Sequence, residues 1–260
     1  MKKALRSEGK VYLVGGGPGD PGLLTLKGLA CITRADVVIY DALVNPKLME
    51  HAPARAKKIF AGKRRRHHAY EQDQIHGLLA KYAGLGLTVC RLKGGDPFMF
   101  GRGGEEAEFL ETRGIPFEVV PGVSSFHGVP AAAGIPLTHR GRASFVTVAT
   151  GHLQSDRALP ERWMGYDPQK TLVVLMGFSK LQSIVKDLLR SGWPRGSAVA
   201  VIASGTLPNQ KVVTGTLSDI GAKVRKVRKT LSPPAMIVVG DVVRLREKIG
   251  KGLKSDSAWV

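Results

Sequence analysis

The sequence predicts an α/β protein made of two α/β domains. Short runs of apolar and β-branched residues alternate with longer segments of helical composition, the pattern of βαβ units. Glycine-rich loops follow several of the predicted strands directly, at the position where open α/β sheets bind ligands. With 260 residues the chain can bury a sizeable core and is long enough for two domains of ordinary size.

The first half of the chain shows a regular alternation of strands and helices. Each predicted strand is a short apolar run, and each predicted helix mixes apolar with charged residues. In chain order these elements are a strand from Val11 to Val14, a helix from about Leu23 to Thr33, a strand from Val37 to Tyr40, a helix near Gln72 to Tyr82, a strand from Leu87 to Leu92, a helix from Glu105 to Thr112 and a strand from Phe117 to Val120.

A stretch rich in glycine and alanine, from Pro121 to Gly134, separates this half from a second set of predicted strands. The boundary is therefore expected near residue 121, with an N-terminal α/β domain over residues 1–121 and a C-terminal α/β domain over residues 122–260. The later strands are expected at Ser144 to Thr150, Thr171 to Leu175, Ser197 to Ala203, Val212 to Gly215 and Ala235 to Val239.

The chain carries a large excess of positive charge. Lys and Arg number 39 against 21 acidic residues, a formal net charge of +18, which favours an acidic partner or substrate. The basic residues cluster between His51 and Tyr70 and again from Ala222 to Lys254. These clusters hold few aromatic residues and no zinc-finger, RNP or helix-turn-helix signature, so nucleic-acid binding is the weaker interpretation.

Other features favour a cytoplasmic protein. No apolar run approaches the ~20 residues that span a bilayer, and the charged start of the chain is not followed by an apolar signal-peptide core. Cys31 and Cys90 lie in a predicted helix and a predicted strand, without metal-ligand spacing. We therefore expect two reduced packing residues and no metal site.

The loop after the first strand formally matches a dinucleotide-binding motif. Gly17, Gly19 and Gly22 satisfy G-x-G-x-x-G, and Asp41 follows at a distance suited to binding a ribose. Two prolines, however, remove N–H groups that would bind a pyrophosphate, and Asp20 would repel it. S-adenosylmethionine fits better, because it has an amine, a carboxylate and ribose hydroxyls but no phosphate.

A series of short motifs is spread over the chain from about Lys10 to Asp241. In order, they are Val14-Gly15-Gly16-Gly17-Pro18-Gly19-Asp20-Pro21, Tyr40-Asp41, Gly62-Lys63-Arg64, Gly94-Gly95-Asp96-Pro97, Pro121-Gly122-Val123-Ser124-Ser125, Gly134-Ile135-Pro136-Leu137-Thr138-His139-Arg140, Thr150-Gly151-His152, Met176-Gly177 and Pro233-Pro234-Ala235. With this order of motifs, the chain resembles the tetrapyrrole methylases, in particular those that methylate uroporphyrinogen III. Their joint occurrence is far more specific than any single glycine loop.

The resemblance implies a two-domain fold that binds S-adenosylmethionine in the cleft between the domains and forms homodimers. It implies two C-methylations of uroporphyrinogen III, at C2 and C7, which give precorrin-1 and then precorrin-2 on the routes to sirohaem and cobalamin. S-adenosylhomocysteine is then the second product. The donor-binding positions of the family that match here are Pro18, Gly94, Gly95, Asp96, Met99, Ser124, Ser125, Met176, Gly205 and Ala235.

Asp41 is the first candidate for the catalytic base. Attack on the methyl group leaves a cationic ring that must lose a proton, and this requires a base close by. Asp41 lies at the C-terminal end of a predicted strand, and the resemblance pairs it with Lys63 as an acid/base pair. A turn cap at Asp41 and a plain surface lysine at Lys63 remain the alternatives.

Arginines are expected in the acceptor site because uroporphyrinogen is a polycarboxylate, and guanidinium groups bind carboxylates with two hydrogen bonds. Arg102 and Arg140 are the best candidates, and Arg102 is also a candidate proton carrier beside Lys63. Glu105 lies three residues after Arg102, so it is placed to orient this arginine or to contact a pyrrole N–H.

Three competing functions remain open on the sequence alone. An RNA methyltransferase of the same fold would share the donor loops and use the positive charge. A different precorrin methyltransferase would need only a reshaped acceptor cleft. A nucleic-acid-binding module without enzymatic activity would bind in a salt-sensitive manner that S-adenosylmethionine does not affect.

Overall fold

The computed structural model describes residues 9–62, 70–151 and 165–249. The chain divides into two compact units, of which the first ends at Ser125 and the second begins at Phe126. Each unit has a five-stranded sheet and its own hydrophobic core. The predicted α/β class is confirmed.

The first sheet is entirely parallel, with the strand order β3-β2-β4-β1-β5. Its α-helices pack on both faces, α1 on one and α2 and α3 on the other. Because every strand runs the same way, the loops after all five strands lie at one edge of the sheet. The strands are β1 (Lys10–Gly15), β2 (Val37–Tyr40), β3 (Lys57–Phe60), β4 (Thr88–Lys93) and β5 (Phe117–Val120), and the helices are α1 (Leu26–Arg34), α2 (Gln72–Gly84) and α3 (Gly103–Thr112).

Helix α1 begins three residues later than predicted. The hydroxyl of Thr25 accepts a hydrogen bond from the backbone N–H of Gly28 at 3.0 Å, which caps the helix. The residues before the cap, Pro21–Leu23, form a short 3₁₀ turn that is capped in turn by the side chain of Asp20. The predicted start at Leu23 was therefore wrong.

Strand β3 was not predicted, since its two lysines were assigned to a basic cluster. Lys57 and Lys58 are exposed, while Ile59 and Phe60 are half-buried against the sheet. The strand lies at the edge of the sheet, where lysines discourage pairing with another chain. The same basic cluster continues into residues 63–69, which lie outside the described residues.

The second sheet is mixed, with the strand order β6-β7-β10-β8-β9. Only β6 and β7 pair in parallel, and the three other pairs are antiparallel. The predicted separator after residue 121 contains a helix, α4, in spite of its glycine and proline. The strands are β6 (Phe145–Thr150), β7 (Lys170–Leu175), β8 (Ala198–Ala203), β9 (Lys211–Thr216) and β10 (Ala235–Val239), and the helices are α4 (Ser125–Ala132), α5 (Leu181–Arg190), α6 (Ile220–Val227) and α7 (Arg246–Ile249).

Both cysteines are buried and free, which confirms that they pack in the core of the first unit. Burial raises the pKa of the Cys31 thiol and, more strongly, that of the Cys90 thiol, so both stay protonated and unreactive. Within the described part of the chain, none of the helices has the length and apolar character needed to cross a membrane.

Candidate active site

Two glycine loops meet at the carboxyl edge of the first sheet, one after β1 and one after β4. The N–H of Gly95 donates to the carbonyl of Gly17 at 2.7 Å, and the N–H of Gly17 donates back to the carbonyl of Gly95 at 3.2 Å. Both glycines have a left-handed backbone, with φ of 76° at Gly17 and 68° at Gly95. Side chains at these two positions would be strained, so the glycines are required by the backbone path.

Asp96 connects this pair of loops to a third loop, which follows β5. Its Oδ2 accepts a hydrogen bond from the N–H of Gly122 at 3.1 Å, and its Oδ1 accepts one from the N–H of Phe98 at 2.8 Å. A Cβ atom on Gly122 would lie 2.4 Å from the carbonyl oxygen of Gly95 and 2.7 Å from the Cα of Gly15. The three loops therefore pack backbone against backbone, which brings together the donor positions predicted in the first unit.

The donor positions predicted in the second unit lie at one edge of its sheet. Met176 follows β7 and Gly205 lies two residues beyond the end of β8, while Ala235 begins β10. Strand β10 runs antiparallel between these two neighbours, so its first residue lies beside their last ones. Gly205 packs so closely on α4 that a Cβ there would lie 2.2 Å from a side-chain carbon of Val129.

Unusual backbone conformations are concentrated in the candidate loops. A positive φ at a residue other than glycine is uncommon and costs conformational energy, so it marks places that the surrounding structure holds in a defined shape. Several of these residues are predicted site positions or their immediate neighbours. Within the described residues, the non-glycine residues with positive φ are Phe100, Arg102, Met176, Ser204 and Thr206.

Asp41 directly follows β2 and belongs to an ionic cluster whose other members are buried. The Nη2 of Arg91 donates to its Oδ1 at 2.6 Å, and the Nζ of Lys93 lies 3.9 Å from its Oδ2. On the other side, the Oε1 of Glu106 accepts from the Nε of Arg91 at 3.0 Å and from the Nζ of Lys93 at 2.9 Å. Asp41, with a side chain that is 28% exposed, is the only one of the four that reaches the surface, since the others are at most 3% exposed.

The cluster contains two cations and two carboxylates. The two carboxylates outweigh the effect of burial at Arg91, and the pKa of this guanidinium is raised. Burial and the charge of Arg91 dominate at Lys93 and lower the pKa of its ammonium group. The Oε2 of Glu106 is buried and accepts no hydrogen bond from the described residues, whereas its Oε1 accepts three, the third from Gln72 at 3.4 Å.

Arg102 and Glu105 form an exposed pair at the start of α3. The guanidinium donates from Nε to Oε1 at 2.9 Å and from Nη2 to Oε2 at 2.7 Å, so the contact is bidentate. The pair raises the pKa of Arg102 and lowers that of Glu105, chiefly through these hydrogen bonds. Both side chains are about half exposed, which leaves the guanidinium accessible to a ligand.

Arg140 and Lys63 are the remaining predicted acceptor-site and catalytic residues. Arg140 is exposed at the tip of a turn that is closed by two backbone hydrogen bonds between His139 and Ala143. No ion-pair partner of Arg140 is found in the described part of the chain. Lys63 lies outside the described residues, so its predicted pairing with Asp41 stays a prediction.

Three members of the ionic cluster were not singled out from the sequence. Arg91 and Lys93 are two residues apart in β4, so they lie on the same face, and this strand is paired on both sides. Charged residues inside a central strand require buried partners of opposite charge. The two charged residues inside β4 therefore indicated, from the sequence alone, that acidic partners lie nearby. Glu106 is one of these partners.

Within the described residues, no group of histidine, cysteine, aspartate or glutamate is arranged to hold a metal ion. The ionisable side chains at the candidate site are instead paired with one another, as in the cluster of Asp41, Arg91, Lys93 and Glu106. The features that remain for chemistry are a partly exposed carboxylate, close-packed glycine loops and two exposed arginines, Arg102 and Arg140.

Comparison with known proteins places the chain in one family. The sequence model of the tetrapyrrole (corrin/porphyrin) methylases matches residues 10–221. The uroporphyrinogen-III C-methyltransferase of Methanocaldococcus jannaschii is 47% identical over 240 residues, which are 91% of this chain and 98% of that protein. The siroheme synthase of Azotobacter vinelandii is 49% identical over 247 residues, which are 95% of this chain and 53% of that protein. The chain thus spans about half the length of the siroheme synthases it matches.

Solved structures show the same fold. The native uroporphyrin III C-methyltransferase of Thermus thermophilus is 40% identical and superposes with a TM-score of 0.77, covering 91% of this chain and 99% of that one. The enzyme of the same organism in complex with S-adenosyl homocysteine gives a TM-score of 0.76 at 39% identity, with the same coverage.

Proposed function

Since the chain belongs to the tetrapyrrole (corrin/porphyrin) methylases, we propose that it transfers methyl groups from S-adenosylmethionine to uroporphyrinogen III. The finer proposal is methylation at C2 and then at C7, which gives precorrin-1 and precorrin-2 and two molecules of S-adenosylhomocysteine. The observation that best supports methyl transfer is the position of the Asp41 carboxylate, which Arg91 holds at the sheet edge where the glycine loops meet. Precorrin-2 would serve sirohaem or cobalamin synthesis.

The glycine loops suit a donor that must approach the backbone closely. Gly15, Gly95 and Gly122 carry no side chains, so a donor can approach the backbone of these loops closely. Asp96 holds these loops together. We assign donor contacts to Pro18, Gly94, Gly95, Asp96, Met99, Ser124, Ser125, Met176, Gly205 and Ala235.

The chemistry requires alignment more than activation. The π electrons of a pyrrole carbon form the new carbon–carbon bond, and the electron pair of the broken C–S bond stays on the sulfur. Holding two reactants in line contributes about 7–11 kcal/mol. Because the attacked carbon already carries a side chain, it has no hydrogen to lose after methylation. The cation instead loses a proton from a neighbouring atom to the Oδ2 of Asp41, and the electron pair of that broken bond neutralises the ring. Lys63 is proposed as the acid/base partner of Asp41.

The acceptor is a polycarboxylate, and Arg102 and Arg140 are proposed to bind its side chains. Both guanidinium groups are exposed, and Arg102 already binds one carboxylate in bidentate fashion, that of Glu105. A substrate carboxylate would compete with Glu105 for Arg102, which frees Glu105 to accept from a pyrrole N–H. Arg102 is also proposed as a proton carrier. The resemblance further supports a homodimer.

One incubation tests the function directly. The protein is mixed with methyl-labelled S-adenosylmethionine and uroporphyrinogen III under anaerobic, reducing conditions, and the products are identified by mass and absorbance. Two labelled methyl groups per tetrapyrrole are expected, together with S-adenosylhomocysteine. Labelling of added RNA, or of a precorrin but not of uroporphyrinogen III, would assign the chain to another acceptor. Salt-sensitive RNA binding without any methyl transfer would contradict an enzymatic role.

A further inference from the structure

Lys93, like Arg91, lies beside both carboxylates of the ionic cluster, but it faces a different oxygen of Asp41. Its Nζ lies 2.9 Å from the Oε1 of Glu106 and 3.9 Å from the Oδ2 of Asp41, and its side chain is 3% exposed. Arg91 donates its hydrogen bond to the other oxygen of Asp41, Oδ1. Among the described residues, no donor forms a hydrogen bond to Oδ2. The oxygen proposed to take the proton is therefore the one that faces Lys93.

The charges around this oxygen balance when all four groups of the cluster are ionised. Arg91 and Lys93 come from β4, Asp41 follows β2 and Glu106 comes from α3, while α2 contributes the neutral amide of Gln72. With both carboxylates ionised and both bases protonated, the four charges sum to zero. Protonation of Asp41 alone leaves one excess positive charge, and loss of the Lys93 proton alone leaves one excess negative charge.

We propose that Lys93 is a positioning residue for the proton-transfer step, whose ammonium group holds the Oδ2 of Asp41 in place to receive the proton from the methylated ring. The proposal rests on the proposed methyl transfer. When the proton arrives on Oδ2, the cluster gains a net positive charge at a buried site, where unbalanced charge is unfavourable. The proton is then released to water through the exposed part of Asp41, so that the carboxylate is ready for a second methylation.

The state of Lys93 gives the step a dependence on pH. Burial and the neighbouring guanidinium of Arg91 lower the pKa of Lys93, so the lysine becomes neutral at a lower pH than an ordinary surface lysine. Above that pH the cation that faces Oδ2 is gone. Activity should therefore fall on the alkaline side as Lys93 loses its proton.

Substitution of Lys93 separates its charge from its packing. Lys93→Met removes the charge and keeps an unbranched apolar chain, whereas Lys93→Arg keeps a permanent charge. The control is Lys81→Met, which removes an exposed lysine from α2. We expect Lys93→Met to lower kcat about 10- to 100-fold, within the range of an assisted proton transfer, with an unchanged dissociation constant for S-adenosylmethionine. The alkaline decline should disappear in Lys93→Met and move to higher pH in Lys93→Arg.

If the two Lys93 variants do not fold, the proposal can still be tested by a measurement that does not depend on turnover. In the folded wild-type protein, NMR titration of the Lys93 ammonium group is compared with that in Asp41→Asn. Loss of the Asp41 carboxylate should lower the titration midpoint of Lys93, because an opposite charge near the lysine favours its charged form. An identical midpoint in both proteins would show that the two groups do not interact and would overturn the proposal.

The outcomes distinguish the two proposals. A wild-type protein that forms no methylated tetrapyrrole refutes the proposed function itself. An active wild-type enzyme with a Lys93→Met variant of the same kcat and the same pH profile refutes only the role of Lys93. A variant that loses stability but, once folded, turns over at the wild-type rate at every pH assigns Lys93 to structure alone.

Discussion

The Nη2 of Arg91 lies 2.6 Å from the Oδ1 of Asp41, across the junction between the two strands β2 and β4. The guanidinium is almost fully buried, whereas the carboxylate is partly exposed at the sheet edge. A carboxylate fixed at one oxygen by a buried cation has a defined direction for its other oxygen. This arrangement distinguishes Asp41 from a carboxylate that merely caps a turn.

Replacing Asp41 with asparagine should abolish most of the methyl transfer while leaving the donor bound. The amide has the shape of the carboxylate but cannot accept a proton, and loss of a general base typically costs 10²- to 10⁴-fold in rate, so a decrease of about that size is expected. Initial rates and calorimetric binding of S-adenosylmethionine measure the two effects. Asp73→Asn, at a fully exposed side chain on α2, is the control. An active Asp41→Asn variant would exclude Asp41 as the base.

Glu106 and Glu105 are adjacent in sequence but differ completely in environment, so they form a matched pair. The side chain of Glu106 is fully buried against two cations, while that of Glu105 is 50% exposed. Glu106→Gln should lower the free energy of unfolding by about 3–5 kcal/mol, because it leaves an uncompensated buried charge. Glu105→Gln should change it by about 0–1 kcal/mol. Urea unfolding measures the free energy of unfolding of both variants. Equal losses would show that the buried ion pairs of Glu106 stabilise the fold no more than the exposed pair of Glu105.

Much of the first unit could be predicted from local sequence. The strands at Val37–Tyr40 and Phe117–Val120 are found where predicted, because short apolar runs between turn residues specify buried parallel strands. Strand β3 was missed because its residues Lys57 and Lys58 carry no alternating pattern. Its position depends on pairing with β2, a contact distant in sequence.

The candidate site was predicted in part, and the limit has a physical reason. Glycine loops are visible in sequence because positive φ and close packing exclude side chains, as at Gly95 and Gly122. The partners of Asp41 are not visible in this way. Arg91 is 50 residues away, and only the parallel pairing of β2 with β4 brings the two together.

Gly122→Ala should disturb the meeting of the three loops. The new Cβ would lie 2.4 Å from the carbonyl oxygen of Gly95, and the backbone there has no freedom to move away without breaking the loop contacts. We expect a loss of about 1–3 kcal/mol in unfolding free energy, as for overpacking, with weaker binding of S-adenosylmethionine.

The control for Gly122 is Gly77→Ala in α2, where an added Cβ meets nothing within 4 Å. Alanine there should stabilise the helix by about 0.5–1 kcal/mol and leave donor binding unchanged. Calorimetric titration and thermal unfolding measure both variants. If a folded Gly122→Ala protein bound S-adenosylmethionine with unaltered affinity, the junction of the three loops would not be part of the donor site.

Glu118 should make stability depend on pH in the acid range. Hydrogen bonds from Lys10 and Lys27 lower the pKa of this carboxyl from 4.5 to about 2. Because the folded pKa is depressed, its stabilising contribution is complete above the unfolded value and is lost as the pH falls towards about 2. Glu118→Gln should therefore be less stable than wild type near neutral pH, with a difference that shrinks in acid. A pH-independent difference, relative to Glu111→Gln, would contradict the depressed pKa.

Arg102→Ala should weaken binding of the tetrapyrrole acceptor and leave binding of S-adenosylmethionine unchanged. Its guanidinium is exposed and makes two hydrogen bonds to Glu105, so a substrate carboxylate can replace that partner. Hydrogen bonds to charged groups contribute about 1.5–3 kcal/mol, which corresponds to a KM for the tetrapyrrole that rises about 10- to 100-fold. The control is Arg113→Ala, at the other end of α3. If Arg102→Ala instead lost affinity for S-adenosylmethionine, Arg102 would belong to the donor site.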